Sequence, residues 1–348
     1  MTAPADAVTA LFVPGDRPER FAKAVAAGPD LVIIDLEDAV APGAKSAALE
    51  AILTALSPDA PRSSVGSAVV RAMVRTNPAG SPTLAAEVAA LSRLLTQRGH
   101  GLAGLMLPKA EDPAVIAELV SAMTRPDGGD LAVVPLVESA RGVVRAVDLA
   151  AVPGVTRLAF GALDFTLDVA ADLSSATVDH ARAELVIASR AAGIAAPLDS
   201  PATQVADLVA VAESARMARA LGFGGKLCIH PAQVSVVRDA FRPSDAEIAW
   251  ARAVMDSDGG AMQVGGEMVD RPLGVGVRVV GDHHVDVHVG VGSLVAPRYR
   301  PDHRHPQHLG PRGLEAGEVL DRVLVMSHGP TSYGSPTSWP SLISPGRK

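Results

Sequence analysis

The stretch LAVVPLVESARGVVRAVDLAAVPGVTRLAFGALDF, residues Leu131–Phe165, contains the pattern that repeats along most of this chain. It opens with an apolar, β-branched run that ends at Val137, continues through a segment with helical spacing of apolar residues, and enters a second apolar run at Arg157. Alternation of such runs with helical segments predicts a sheet built from βα units. A carboxylate follows each run, Glu138 after the first and Asp164 after the second.

Similar runs recur before Ala-rich helical patterns, and together they predict eight strands. These are Ala10–Val13, Leu31–Leu36, Val69–Thr76, Gly104–Pro108, Leu131–Val137, Arg157–Gly161, Ala195–Asp199 and Lys226–His230. Eight strands alternating with helices are typical of a closed TIM (β/α)₈ barrel, with a doubly wound open sheet as the alternative fold. Neither GxGxxG nor GxxxxGK[ST] follows any of the runs, so the usual nucleotide loops are not predicted.

Polar side chains stand at the ends of nearly all of these strands. A TIM barrel carries its chemistry at the C-terminal ends of its strands, so this distribution favours an active site at one rim. The polar residues expected there are Asp16, Arg17, Glu37, Asp38, Arg75, Asn77, Lys109, Glu138, Asp164, Asp199 and His230.

The two carboxylates Glu138 and Asp164 are separated by about one βα repeat, so neighbouring strands are expected to bring both to the same rim. Carboxylates without nearby His or Cys ligands favour a hard cation such as Mg²⁺, which keeps several waters and takes other ligands from the substrate. The alternative is that both are ordinary acids, with Asp164 capping the next helix.

Arg75 brings a fixed positive charge with forked donors, which suits a carboxylate or an enolate oxygen. It is also expected to form an ion pair with Glu37 or Asp38. The paired acid would then orient the arginine without binding the metal itself. In the run DLED, the strand period puts Asp35 and Glu37 on one face and Asp38 on the other. All three acids therefore cannot serve one site while the strand stays regular.

Three further residues carry side chains that are able to take part in catalysis or to bind a metal. Lys109 at a rim would form a Schiff base if burial lowered its pKa, although an enolate held by a metal is the simpler account. His230 has no second histidine at ligand spacing and is expected to be structural. The single cysteine, Cys228, lies in an apolar run, is expected to pack in the core, and excludes a disulfide framework.

The bulk composition of the 348-residue chain narrows the class of protein. A hydrophobic fraction of 48% with 20% charged residues predicts a folded core, and a net charge of −7 argues against a general nucleic-acid binder. The N-terminus has no basic residues before its short apolar run, and no stretch approaches the roughly 20 apolar residues that span a bilayer. We therefore expect a cytoplasmic protein with neither nucleic-acid nor membrane partners.

The sequence changes character at Pro272. Residues 273–348 hold seven of the ten histidines, both tyrosines, eight prolines and eleven glycines, and they fit no helix period. This composition predicts disorder, with a metal-binding tract at His303, His305 and His308 as the alternative. The expected organisation is a barrel domain over residues 1–255, a C-terminal lid segment over 256–272 and an atypical, disordered tail over 273–348.

Seven motifs, in chain order, resemble the citrate lyase β-subunit-like group of the HpcH/HpaI aldolase and malyl-CoA lyase superfamily. They are LFVPGDRPERFAKA (Leu11–Ala24), DLEDAV (Asp35–Val40), VRTNP (Val74–Pro78), LPKAE (Leu107–Glu111), PLVESARG (Pro135–Gly142), FGALDFTLD (Phe160–Asp168) and CIHPAQV (Cys228–Val234). The resemblance implies a TIM barrel that assembles as a homotrimer or hexamer with active sites shared between subunits.

The resemblance also implies roles for individual residues. Glu138 and Asp164 are implied as the Mg²⁺ ligands, with Arg75 and Glu138 as catalytic residues that also contact the substrate. The segment GGEMVDRP (Gly265–Pro272) resembles the lid motif of the family. Its aspartate, here Asp270, is implied to reach into the site of the neighbouring subunit as the catalytic acid/base.

Five positions match those that hold coenzyme A in the family, where cations meet the phosphates. They are Phe12, Arg17, Lys23, Ile229 and Pro231. Two departures from the family pattern stand out. His180 occupies a position that is usually aromatic, and the chain after Pro272 does not continue into the family's terminal helix.

The activity implied is a Mg²⁺-dependent carbon–carbon lyase. Its substrate would be a 3-hydroxyacyl-CoA, such as a malyl-, citramalyl- or hydroxymethylglutaryl-CoA-like thioester, cleaved to acetyl-CoA and a 2-oxo acid or made by the reverse Claisen condensation. Three alternatives stay open: a citryl-thioester lyase subunit of a citrate lyase complex, a 2-oxo acid aldolase of the superfamily that uses no CoA, and a non-enzymatic partner-binding protein.

Overall fold

The computed structural model describes residues 2–60, 70–124 and 131–255, together with four short strands beyond residue 261. The chain divides into two units, residues 1–298 and 299–348, and the second lies outside the described residues. The first unit contains the barrel and all the elements given below.

Eight parallel strands close into a barrel in chain order, and β8 pairs with β1. The strands are β1 (Thr9–Pro14), β2 (Leu31–Asp35), β3 (Ala72–Arg75), β4 (Leu102–Leu107), β5 (Ala132–Val137), β6 (Arg157–Phe160), β7 (Ala195–Asp199) and β8 (Gly225–Cys228). The predicted TIM barrel is confirmed, and the doubly wound alternative is wrong.

Helices follow the strands and cover the outside of the barrel. They are α1 (Phe21–Ala26), α2 (Lys45–Leu56), α3 (Leu84–Leu95), α4 (Pro113–Ala122), α5 (Ala140–Val144), α6 (Ala146–Ala150), α7 (Ala162–Val169), α8 (Ala176–Ala191), α9 (Leu208–Ala220), α10 (Pro231–Phe241) and α11 (Asp245–Met255). Local chemistry sets where some begin: Asp112 accepts a hydrogen bond from Ala114 N–H, and Pro113 occupies the first position of α4. Within the described residues no helix has the length and apolar character to cross a bilayer.

The acidic turn after β2 ends that strand one residue earlier than predicted. Asp35 Oδ1 accepts from Glu37 N–H at 2.9 Å, and Oδ2 accepts from Ala39 N–H at 3.0 Å. When an aspartate side chain accepts hydrogen bonds from backbone N–H groups that follow it, the chain forms a turn there and leaves the hydrogen-bond pattern of the sheet. The chain therefore leaves the sheet at Asp35, and Glu37 and Asp38 lie beyond the regular strand.

β3 is shorter than predicted. It begins at Ala72, and Val70 and Arg71 precede it without joining a strand. The predicted first residue, Val69, lies outside the described part of the chain. A prediction from apolar composition makes a strand too long when the residues of the neighbouring loop are apolar as well.

Side chains from the inward-facing side of each strand fill the interior of the barrel. Its inward apolar residues include Ala10, Ile33, Met73, Leu136, Ala159, Leu198 and Leu227. Because side chains alternate along a strand, the residue two positions after an inward one also faces inward. Four of these continuations reach the C-terminal mouth, namely Phe12, Asp35, Arg75 and Glu138. The packing register of the core thus determines which polar residues enter the site.

A buried arginine closes the opposite end of the barrel. The Arg157 guanidinium donates to the carbonyl oxygens of Pro4 at 3.2 Å, Ala7 at 2.7 Å and, through Nε at 2.9 Å, Ala196. Burial lowers the pKa of Arg157 to about 9, since nearby Asp6 raises it by less. The side chain joins the N-terminal segment to β6 and β7.

Two short antiparallel pairs follow the barrel. β9 (Met262–Val264) pairs with β10 (Glu267–Val269) inside the predicted lid segment, and β11 (Gly276–Val279) pairs with β12 (Val285–His288) inside the predicted tail. Those eight tail residues therefore have regular structure. The rest of the segment predicted to be disordered, including the histidine tract, lies outside the described residues. The domain boundaries after residues 255 and 272 stay predictions.

Replacing Arg157 by methionine is expected to lower the free energy of unfolding by about 3 kcal/mol, because buried carbonyl oxygens lose their charged donor. Urea unfolding followed by circular dichroism measures this change. The control is Arg242→Met, which removes a largely exposed arginine paired with Asp239 at 3.8 Å. Equal stability of the two variants would contradict a structural role for the Arg157 contacts.

Candidate active site

Arg75 is the central cation of the C-terminal mouth. Its Nε and Nη2 donate to the two oxygens of Asp35 at 2.6 and 2.7 Å, and its guanidinium carbon lies 4.8 Å from the centre of the Phe12 ring. Burial alone would lower the pKa of Arg75, but the hydrogen bonds and charge of Asp35, followed by the charges of Glu37 and Asp38, raise it. The guanidinium is therefore a permanent charge in a fixed orientation.

Two further acids of the DLED run contact the same arginine. Glu37 Oε2 lies 2.8 Å from Arg75 Nη1, an ion pair without hydrogen-bond alignment, and Asp38 Oδ2 lies 3.8 Å from the same nitrogen. Glu37 is buried and Asp38 is exposed. Strand alternation put Asp38 on the other face, but the turn at Asp35 brings it back towards the arginine. The predicted pairing of Arg75 with Glu37 and Asp38 matches this geometry.

Glu138 follows β5 and is 5% exposed. Its Oε1 accepts from Lys109 N–H at 2.7 Å, and a Cβ atom on Gly161 would come within 2.5 Å of its Oε2. Glycine at position 161 thus makes room for this carboxylate. Burial, then the charge of Glu37 and more weakly that of Asp164, raises the pKa of Glu138 to about 8, against the lowering effect of the Lys109 N–H.

Asp164 stands in the first turn of α7, and its side chain is about one-third exposed. The residue before the helix is Gly161, so the expectation that Asp164 caps this helix is wrong. The backbone nearby is held by Ser200, whose hydroxyl accepts from Ala162 N–H and donates to Phe160 O at 2.8 Å. Asp164 and Glu138 share one neighbour, Lys109, at the same mouth.

Lys109 contacts both neighbouring acids through its side chain. Its Nζ lies 3.2 Å from Glu37 Oε1 and 3.5 Å from Asp164 Oδ2. Burial lowers the pKa of Lys109, but the charge and hydrogen bond of Glu37 outweigh this and raise it overall. A Schiff-base lysine needs a lowered pKa, so the environment opposes that alternative.

The donor set fits a hard divalent cation. Within the described residues, no group of three or more His, Cys, Asp and Glu side chains forms a complete metal cage. Glu138 and Asp164 supply carboxylate oxygens. Burial, followed by the charges of Glu37 and Asp164, raises the pKa of Glu138, and a bound cation would offset these effects by stabilising the ionised carboxylate. Mg²⁺ commonly takes one or two carboxylates and fills its remaining positions with water and substrate oxygens.

A partly buried hydrogen-bond network of Lys45, Asn77 and Glu87 supports the backbone of the acidic turn. Lys45 Nζ donates to Leu36 O at 2.9 Å and Glu37 O at 3.0 Å, and it also bonds Asn77 Oδ1. Asn77 in turn donates to Leu36 O at 3.2 Å and to Glu87. Sequence reasoning placed Asn77 at the rim and missed Lys45 and Glu87. Their signal is weak, because neither residue follows a predicted strand and both meet at Asn77, which is 32 residues from Lys45 and 10 from Glu87.

The five residues proposed for CoA binding come from adjacent parts of the barrel. Phe12 belongs to β1, while Arg17 and Lys23 follow it; Ile229 follows β8 and Pro231 begins α10. Since β8 pairs with β1, the residues after these strands share one sector of the mouth. Phe12 is half-buried beneath Arg75 and the other four are exposed. Their roles stay predictions.

One residue expected at the rim lies elsewhere. Asp199 follows the inward Leu198 and so faces the helices, where its Oδ1 accepts from Arg182 Nε at 3.0 Å and its Oδ2 accepts from Lys226 Nζ. The carboxylate is fully buried in this pairing. The prediction that Asp199 faces the site is wrong, because the strand register turns it outward.

Three other residues from the sequence analysis have local roles. His230 Nδ1 accepts from Ala232 N–H at 3.2 Å at the start of α10, as a structural histidine would. Cys228 is buried, and burial raises the pKa of its thiol to about 12, which keeps it unreactive. His180 is exposed on α8, 3.7 Å from Glu184. Asp270, the predicted acid/base, lies outside the described residues.

Comparison with known proteins gives one consistent result. The sequence profile of the HpcH/HpaI aldolase/citrate lyase family matches residues 9–231. A citrate lyase subunit beta-like protein of Mycobacterium tuberculosis is 38% identical over 275 residues, which is 76% of this chain and 90% of the relative. An L-malyl-CoA/beta-methylmalyl-CoA lyase of Cereibacter sphaeroides is 32% identical over 70% of this chain and 82% of the relative.

The fold comparison agrees with the sequence comparison. The crystal structure of the CitE protein of M. tuberculosis in complex with magnesium, acetoacetate and coenzyme A superposes with a TM-score of 0.63 at 37% identity. The match covers 77% of this chain and 94% of that one. At this identity the likeness extends beyond the bare barrel, which many unrelated enzymes share.

The raised pKa of Glu138 predicts how the stability of the metal-free protein depends on pH. Its folded pKa of about 8 exceeds the reference value of 4.5, so between these values the folded state binds more protons than the unfolded state. Stability is therefore lost as the pH rises through this window. Relative to Glu138→Gln, we expect the wild type to lose up to about 3 kcal/mol between pH 5 and pH 9.

Chemical denaturation in the presence of a chelator at several pH values measures this difference. Glu111→Gln is the control, since Glu111 is a more exposed acid after β4 that accepts from Ser139 Oγ at 2.6 Å. A constant gap between wild type and Glu138→Gln across the range would show that Glu138 is ionised throughout.

Proposed function

The chain belongs to the HpcH/HpaI aldolase/citrate lyase family, and on this premise we propose that it is a Mg²⁺-dependent lyase acting on a 3-hydroxyacyl-CoA. Membership makes the chain an enzyme of the aldolase and lyase class. The substrate we propose is a malyl-, citramalyl- or hydroxymethylglutaryl-CoA-like thioester. Its cleavage gives acetyl-CoA and an oxo acid, which is a 2-oxo acid from a malyl- or citramalyl-type thioester and a 3-oxo acid from hydroxymethylglutaryl-CoA. The reverse reaction is a Claisen condensation.

One observation carries the proposal: two carboxylates that do not pair with the arginine share the barrel mouth with it, while other acids hold that arginine in place. Glu138 and Asp164 both contact Lys109, while Asp35 and Glu37 occupy Arg75. The crystallised relative from M. tuberculosis is in complex with magnesium, acetoacetate and coenzyme A, and this supports a site that takes a metal together with a CoA compound.

Glu138 and Asp164 would hold the Mg²⁺ ion. When bound, the ion would polarise the carboxylate and hydroxyl oxygens of the substrate and lower the pKa of that hydroxyl. The Arg75 guanidinium supplies fixed donors for the thioester oxygen, on which negative charge develops. Asp35 accepts hydrogen bonds from Nε and Nη2 of Arg75, whereas Nη1 only forms an ion pair with Glu37. Nη1 is therefore the nitrogen that would bind a ligand, with the ligand replacing Glu37.

A single acid/base group accounts for both proton transfers of the cleavage. A base removes the proton of the substrate hydroxyl, and the O–H electron pair becomes the carbonyl bond of the 2-oxo acid. The carbon–carbon electron pair passes to the thioester as an enolate beside Arg75, and protonation at carbon completes acetyl-CoA. We assign the base to Asp270 of a neighbouring subunit, with the protein assembled as a trimer or hexamer in the cytoplasm.

The CoA moiety is proposed to lie over the sector formed by β1 and β8. Arg17 and Lys23 carry charges suited to its phosphates, and Phe12, Ile229 and Pro231 offer apolar surface. Arg17 is bound only loosely to Asp16, at 3.8 Å in the structure, so it can turn to an incoming phosphate at small cost.

A citryl-thioester lyase subunit of a citrate lyase complex is the second candidate, favoured by the name of the M. tuberculosis relative at 38% identity. A 2-oxo acid aldolase without CoA is the third. A panel of malyl-, citramalyl-, hydroxymethylglutaryl- and citryl-CoA with Mg²⁺ separates the thioester candidates by the acetyl-CoA and the particular oxo acid that each releases. Turnover of free 4-hydroxy-2-oxo acids alone would favour the aldolase and overturn the proposal.

Glu138→Ala and Asp164→Ala are each expected to remove dependence on divalent metal and to lower turnover by roughly 10³-fold or more, because charge stabilisation by the ion is lost. Initial rates across a Mg²⁺ titration measure both effects. Asp172→Ala, which removes an exposed acid after α7, is the control and should behave as wild type. Near-normal rates without added metal in either variant would contradict the ligand assignment.

Asp270→Asn is expected to fold and bind CoA but to lose about 10²–10⁴-fold in turnover, as a missing acid/base predicts. If Asp270 acts across a subunit boundary, mixing Asp270→Asn chains with Arg75→Ala chains should restore part of the activity. Some sites in such a mixture pair an intact Arg75 with an intact Asp270 of the neighbour. No recovery, with mixed oligomers confirmed by native mass spectrometry, would contradict the shared site.

A further inference from the structure

Lys109 is the residue at which all three acids of the proposed metal region meet. Its backbone N–H donates to Glu138 Oε1 at 2.7 Å, and its ammonium group lies 3.2 Å from Glu37 Oε1 and 3.5 Å from Asp164 Oδ2. The chemistry proposed above needs Glu138, Asp164 and Arg75, but it gives Lys109 no task.

The backbone of Lys109 is strained, which separates it from an ordinary surface lysine. Its φ is 49°, in the left-handed region that non-glycine residues enter at a cost of order 1 kcal/mol. This conformation lets one residue direct both its N–H and its side chain to the mouth. Strain of this kind persists where the surrounding contacts demand the geometry.

The charges around Lys109 show what its ammonium group does. Arg75 is already committed to Asp35 and Glu37, so Asp164 needs another cation. Among the described residues, Lys109 is the one within ion-pair distance of Asp164. Without it, the carboxylates of Glu37, Glu138 and Asp164 would repel one another in a partly buried mouth.

We propose that Lys109 is the internal counter-ion of the metal site, which holds Asp164 in the metal-free protein and yields it to a divalent cation. This inference rests on the proposed function, because it takes Glu138 and Asp164 as the ligands. Lys109 is then a positioning residue that competes with the ion. Its side chain is 46% exposed, so the ammonium group can move into solvent or stay with Glu37 when Asp164 is taken.

Metal affinity measured by calorimetry on the full-length chain tests the competition directly. Lys109→Met should bind Mg²⁺ roughly tenfold more tightly than the wild type, because a unit charge a few ångströms from a divalent ion no longer repels it. Arg242→Met is the control, since it removes one largely exposed positive charge that lies after α10 and has no place in the site, and it should change the Mg²⁺ affinity less than about twofold.

Thermal stability tests the counter-ion role in the absence of metal. In a chelator, Lys109→Met should melt below the wild type and below Arg242→Met, and saturating Mg²⁺ should narrow the gap. Lys109→Gly provides a second variant, because glycine accepts the positive φ and keeps the N–H bond to Glu138. It should bind Mg²⁺ about as tightly as Lys109→Met does.

The outcomes separate this inference from the function beneath it. A wild type that binds no Mg²⁺ would overturn the proposed function itself. A wild type that binds Mg²⁺, with Lys109→Met and Lys109→Gly binding equally or more weakly, would overturn only the counter-ion. A Lys109→Met melting temperature equal to the wild-type value in chelator would also overturn the counter-ion.

Discussion

Two hydrogen bonds join Asp35 to Arg75 across the adjacent strands β2 and β3, where the two residues are direct neighbours in register. The same carboxylate accepts from the backbone of Glu37 and Ala39, so it ends the strand and shapes the acidic turn as well. Asp35 thereby fixes the orientation of the guanidinium and brings Glu37 and Asp38 towards it. The arrangement of the mouth depends on this one buried acid.

The balance of charge at the mouth explains why several acids tolerate close contact. Arg75 neutralises Asp35 and Glu37, and Lys109 lies between Glu37 and Asp164. Glu138 is left with a backbone N–H as its main compensation, and its pKa rises to about 8. The mouth therefore holds more negative than positive charge, and a bound divalent cation would neutralise the excess.

Support for the site extends well behind the residues that face the mouth. Lys45 and Asn77 bind the backbone of the acidic turn, and Gly161 leaves space for the Glu138 carboxylate. Catalytic groups need supports of this kind because small displacements of a charge change its interaction with the reacting atoms. At the other end of the barrel, Arg157 binds the N-terminal segment to the strands, so different arginines organise the two ends of the barrel.

The repeated strand and helix pattern predicted the βα units and favoured the barrel, because periodic burial is a local property of the sequence, while the pairing of β8 with β1 ruled out the open sheet. It also placed Arg75, Glu138 and Asp164 after strands, and the motifs pointed to the family. Only the tertiary structure decided which polar residues face inward: Asp35 joins the site and Asp199 leaves it, since each side chain follows the register of Ile33 or Leu198. The contacts of Lys45, Lys109 and Gly161 likewise join residues distant in sequence, and no local pattern records such pairs.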